Sequence, residues 1–181
     1  MSVYSQKDKF PYFFARIEDT DTIMKNWEYP FLITSGVTID IFPVIGLPDK
    51  RKEALEFCDK IRGLGSKLIE RYIVNFQVDE YEVKTRMEII EQICNMMEVY
   101  EYDRAENMGY ILGKNGEKDI VERQVYSSAI EMEFEGRKFW GFKEYHIYLA
   151  MYYGDYMQLP PVENRKPHLK VSKLKLIDVE I

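Results

Sequence analysis

The chain has 181 residues and a mass of 21.6 kDa, enough for one domain that hides roughly 70% of its unfolded surface. Hydrophobic residues make up 46% and charged residues 31%, which excludes an intrinsically disordered chain. With 31 acidic against 25 basic residues the formal net charge is −6, so the basic face that a general nucleic-acid binder needs is missing. Tyrosine is the one compositional oddity, with 14 copies.

Met1 to Lys9 has no apolar core of the signal-peptide kind. No stretch approaches the roughly 20 apolar residues of a membrane span, and a cytoplasmic protein is expected. Cys58 and Cys94 each sit among apolar neighbours at helical spacing. They predict two buried thiols, not a disulfide framework or a zinc site.

Phe10–Ile17 is aromatic and apolar and runs into the polar stretch Glu18–Thr22, which predicts a buried strand followed by a turn. Gly36–Phe42 reads as a better strand, with Val37, Ile39 and Ile41 on one face and Asp40 on the other. Pro43 ends it. Asp49 is a plausible cap for a helix over Lys50 to Tyr72, whose apolar stripe includes Ala54, Cys58, Ile61 and Leu68. Gly63 and Gly65 could divide it. A second helix is expected over about Asp79 to Tyr102, with Val83, Met87, Ile90, Ile93 and Cys94 inward.

Gly109–Gly113 reads as a short strand or loop, and Lys114–Gly116 as a turn. Ser128–Phe142 alternates around Glu135-Gly136 as a hairpin does. Glu144–Tyr153 is a short Tyr-rich helix closed by Gly154, followed by an irregular segment that carries Arg165, Lys166 and His168. Lys173–Ile181 alternates like an edge strand. There is no repeat or linker, so the expectation is one α/β (α+β) domain over residues 1–181.

Three features could carry chemistry. Asp40 lies in a strand of Val, Ile and Phe, and burying it unpaired would be costly. It must lie at a rim, meet a cation or bind a metal, and physics alone favours a salt bridge to lysine or arginine. Arg16 with the acidic run Glu18–Asp21 could bind a cation or touch a phosphate, though a solvated acidic turn is the commoner explanation. The stretch Tyr152–Pro161 with Arg165 and His168 could bind a cationic head group and a phosphate, or could be a helix end whose tyrosines fill the core. No nucleophile elbow, P-loop, dinucleotide fingerprint or cysteine cluster is present.

Taken in order, GVTIDIFP over Gly36–Pro43 and GLP over Gly46–Pro48 resemble the central motif of the LicD family. FEG over Phe134–Gly136, YGDYM over Tyr153–Met157, LPP over Leu159–Pro161, Arg165 and His168 resemble its C-terminal signature. Arg16, Asp19 and Thr22 match a looser element expected before the central motif. The resemblance implies a nucleotidyltransferase-like partial core with a mixed sheet, two long helices, a hairpin and a short C-terminal helix. It implies transfer of phosphocholine, or a similar group such as ribitol phosphate, from a CDP-linked donor onto a glycan acceptor, lipopolysaccharide or teichoic acid. It further implies Mg²⁺ or Mn²⁺, with Asp40 as a catalytic, metal-facing carboxylate. Arg16, Asp19, Thr22, Tyr153, Gly154, Asp155, Arg165 and His168 would bind substrate.

Two departures shape the expectation. The family's glycine-containing turn and aspartate cluster have no match in Met1 to Thr22, and Val44-Ile45 follows Pro43 where an acidic residue often stands. The chain is therefore expected to be the C-terminal portion of a LicD-type transferase, inactive alone; a second reading has a separate polypeptide supply the missing aspartates. It would sit in the cytoplasm, peripheral to the inner membrane face, and self-associate if a sheet edge is bare. The alternative is an accessory protein with an aromatic site for choline or sugar.

Overall fold

The computed structural model describes residues 12–28, 31–74, 79–113, 115–165 and 171–176. Helices and antiparallel strands together make an α+β protein. The mixed sheet expected from the resemblance is corrected: every described pairing is antiparallel. The chain divides into two compact units, one made from the stretches up to Phe42, Gly65–Glu91 and from Pro160 onward, the other from Pro43–Leu64 and Gln92–Leu159.

In the first unit β1 (Ala15–Glu28) lies between β2 (Phe31–Ile41) and β8 (Val171–Leu176). The turn expected over Glu18–Thr22 is instead a bulge inside one long strand. Register runs from Ala15 opposite Ile41 to Asp19 opposite Val37, then resumes at Met24 opposite Ser35. Side chains replace the ladder bonds that the bulge interrupts. The Thr22 hydroxyl donates to the Asp19 carbonyl at 3.0 Å and accepts from the Val37 N–H at 2.7 Å. The Glu18 carboxylate accepts from the Gly36 N–H. Gly36 is required there, because a Cβ would overlap the Asp19 carbonyl. Val37, Ile39 and Ile41 share a face as their alternation predicts, but that face is exposed.

Helix α1 (Arg51–Val74) contributes residues to both units and runs unbroken through Gly63 and Gly65. Lys50, not Asp49, offers the first helical carbonyl, to the Ala54 N–H at 2.9 Å. Gly65 admits the Phe13 ring, whose Cε1 lies 2.6 Å from where a Cβ would sit. Helix α2 (Glu80–Met97) is shorter than expected and ends at Met97. Asp79 caps it, its Oδ1 accepting from the Glu82 N–H at 2.7 Å. Its buried face holds Glu82 and Arg86 beside Ile93, whereas Met87 and Cys94 are exposed, which corrects the apolar stripe and the second buried thiol. The charges are tolerated because Glu82 accepts from Arg71 at 3.1 and 2.9 Å and from Arg86 at 2.9 Å.

In the second unit β3 (Val44–Leu47), β4 (Asn107–Tyr110) and β5 (Ile120–Glu122) form a small sheet. Its core includes Leu47, Ala54, Cys58, Ile61, Met108 and Ile120, all fully buried. The hairpin β6 (Ala129–Phe134) and β7 (Arg137–Phe142) closes through Glu135 and Gly136, with φ of 50° and 74°. Two successive positive φ values are what a two-residue type I′ turn needs. Helix α3 (Tyr145–Tyr153) ends at Gly154, where φ is 68°.

Candidate substrate-binding site

The predicted residues fall on both units. Arg16, Asp19, Thr22 and Asp40 come together on β1 and β2. Arg16 and Asp40 are cross-strand partners, with Nε to Oδ1 at 2.6 Å and Nη2 to Oδ2 at 3.3 Å. Arg16 is buried and Asp40 half-buried, so the guanidinium sits in the low-dielectric side of the pair. Asp19 and Thr22 are engaged in the bulge: Asp19 Oδ1 accepts from the Asp21 N–H at 2.9 Å, and Thr22 bridges the strands.

These contacts bear on the divalent cation that the resemblance implies. Both Asp40 oxygens accept from Arg16. Among the described residues no group of three or more His, Cys, Asp or Glu side chains could hold a metal ion. Metal sites for phosphoryl transfer gather several oxygen ligands, and a carboxylate already neutralised by a guanidinium does not make one. The described residues therefore do not fit a resident Mg²⁺ or Mn²⁺.

Tyr153, Gly154 and Asp155 lie in the second unit, on the turn that follows α3, and all three are exposed. The other α3 tyrosines are packed. Tyr148 meets Tyr126 and Phe142 with ring centroids 6.2 and 5.5 Å away, and Tyr152 stacks beside Tyr148 at 4.8 Å. Burial is the main cause that pushes the phenols of Tyr126, Tyr148 and Tyr152 upward, and the Asp119 carboxylate adds to it. Tyr156 meets His146 on the exposed side of the helix. Arg165 belongs to the first unit and donates from Nε to the Pro160 carbonyl at 2.8 Å. His168 and Lys166 lie outside the described residues.

The residue that sequence reasoning passed over is Asp119. It is 0% exposed and accepts four hydrogen bonds: Tyr152 O–H at 2.9 Å, Asn115 N–H at 2.9 Å, Asn115 Nδ2 at 3.2 Å and Arg62 Nη2 at 3.3 Å. Gly113 makes room for it, since a Cβ there would overlap the carboxylate. A lone Asp before Ile120-Val121, preceded by two glycines, was the available signal.

Over 71 residues the chain is 39% identical to the lipopolysaccharide cholinephosphotransferase LicD of Haemophilus influenzae. The matched stretch is 38% of this chain and 27% of that relative, so the chain spans well under two thirds of its length. No protein-family model matches. No solved structure matches. The chain is thus related to the LicD family over part of its length.

Proposed function

We propose that this chain acts in transfer of phosphocholine from a CDP-linked donor to a cell-surface glycan. The carrying observation is the 39% identity over 71 residues to a lipopolysaccharide cholinephosphotransferase. The exposed turn suits that ligand chemistry: Tyr153 offers a ring face to a quaternary ammonium and Asp155 a carboxylate. Separately, in the other unit, Arg165 keeps guanidinium donors beyond its Nε bond to Pro160 that suit a phosphate. No helix among the described residues is long and apolar enough to cross a membrane, and we place the protein in the cytoplasm, peripheral to the membrane where the acceptor is built.

The grip of Arg16 on Asp40 supports a division of labour. This chain binds substrate, while the carboxylates that hold Mg²⁺ or Mn²⁺ come from a separate polypeptide or another part of a longer one. Calorimetry with phosphocholine and CDP-choline, with and without Mg²⁺, tests the binding. Phosphorus NMR with donor, metal and glycan acceptor tests the transfer. Phosphocholine uptake without turnover is the expected result. Failure to bind either ligand overturns the functional reading, and turnover by the purified chain overturns the division of labour.

A further inference from the structure

The hydrogen bonds of Asp119 have a direction. Two come from Asn115 in the adjoining turn and one from Arg62 on α1, and the fourth reaches α3 through the Tyr152 hydroxyl. Lys118, next to Asp119, reaches the Tyr152 carbonyl at 3.5 Å. The short 3-10 turn Gly116–Asp119 therefore holds both the side chain and the backbone of the penultimate residue of α3. Immediately beyond lie Tyr153, Gly154, Asp155 and Tyr156. Gly154 has a positive φ that glycine adopts without strain, so the chain can leave the helix here in several directions. What selects one of them is where the end of α3 is anchored.

Packing alone would not need the Tyr152 hydroxyl, since a phenylalanine ring would stack on Tyr148 equally well. The hydroxyl instead meets a carboxylate withdrawn from water, where a charge-assisted hydrogen bond is strong and its loss is felt. We propose that Asp119 is a positioning residue: through Tyr152 it fixes the Tyr153–Tyr156 turn in the geometry that receives a phosphocholine-type ligand. The ligand part of this inference rests on the function proposed above, whereas the positioning part does not.

The decisive variant is Tyr152→Phe in the full chain, which removes one hydroxyl. Amide hydrogen exchange is read at Gly154, Tyr156 and Gln158, whose N–H groups bond to Ala150, Gly154 and Asp155 carbonyls at 2.8, 2.9 and 3.1 Å. Exchange there should quicken about tenfold while α1 amides keep their rates, and phosphocholine affinity by calorimetry should fall about tenfold. Asp119→Asn, which weakens the charge-assisted bond from Tyr152 together with those from Asn115 and Arg62, should act in the same sense, and adding Tyr152→Phe to it should quicken exchange at the turn by less than the two single effects combined. Should Asp119→Asn fail to fold, Tyr152→Phe decides alone. Unchanged exchange at the turn, or acceleration spread evenly over the chain, overturns the positioning role. Faster exchange with undiminished phosphocholine affinity overturns the link to the ligand. If the wild-type chain takes up no phosphocholine, the proposed function fails and the exchange experiment still judges Asp119.

Discussion

Arg16 on β1 and Asp40 on β2 stand directly opposite each other, and the guanidinium meets both carboxylate oxygens, at 2.6 and 3.3 Å. Asp40 keeps some access to water while Arg16 has almost none. Removing the acid therefore takes a charge-matched partner from a buried cation. Asp40→Ala should lower the unfolding free energy by about 2 kcal/mol, less than a fully buried pair would lose. Asp40→Asn, which keeps an acceptor, should cost about 1 kcal/mol. Urea unfolding measures both. Because Arg16 already occupies the carboxylate, millimolar Mg²⁺ should leave the melting temperature of the chain unshifted.

Glu82 supports a larger penalty. It is buried between Arg71 and Arg86, and Glu82→Ala would leave Arg86, with no exposed surface, beside a void where its carboxylate partner was. The expected loss is about 3–5 kcal/mol, against about 1 kcal/mol for the exposed pair Lys138–Glu131 when Glu131 is truncated. Parallel denaturant titrations of Glu82→Ala and Glu131→Ala check the contrast.

The two thiols should separate cleanly. Cys94 is exposed and should react at once with a disulfide reagent, whereas Cys58 is buried and should react only as fast as the protein unfolds. Burial pushes the Cys58 thiol up from 9.0 to about 11, with neighbouring charges as smaller influences. Between pH 9 and 11 the unfolded chain gives up this proton and the folded chain keeps it, so stability falls as pH rises. Below pH 9 that contribution is fully present, and by pH 11 about 2 kcal/mol of it is gone. Tyr126 and Tyr152, also raised chiefly by burial from the ordinary value of 10.0, act in the same direction from about pH 10 upward. Urea midpoints from pH 8 to 11 should show this decline, and Cys58→Ala should flatten its first part.

Gly63 and Gly65 sit two residues apart on α1 and should respond in opposite ways to alanine. Nothing lies within 4 Å of a Cβ at Gly63, so Gly63→Ala should stabilise the helix by about 0.5–1 kcal/mol. At Gly65 the same gain is cancelled or reversed, because the new methyl group meets Phe13 and its ring must shift. Thermal unfolding of the two variants measures the difference.

Where a local pattern decides the structure, the sequence was readable. The alternation of β2, the Glu135-Gly136 hairpin, the stripe of α1 and the cap at Gly154 all follow from period and turn chemistry. The stretch Glu18–Thr22 misleads because its composition is that of a turn; the strand continues only because Thr22 and Glu18 bond across to β2. On α2 an apolar template overlooks the inward face, where Glu82 depends on Arg71, 11 residues earlier and on another helix. For Asp40 the sequence leaves a rim, a cation or a metal, and the half-buried carboxylate meets Arg16, 24 residues away. Asp119 was out of reach, since its partners stand 4, 33 and 57 residues distant and no spacing rule links them.

The overlap that any side chain at position 113 would make with the Asp119 carboxylate joins two positions into one inherited character. Among related chains, those that keep aspartate at 119 should keep glycine at 113. A lineage that gains a side chain at the first has given up the anchored tyrosine that the second holds. Pairs of this sort mark where a relative has changed what its loop does, even when the loop itself still reads the same.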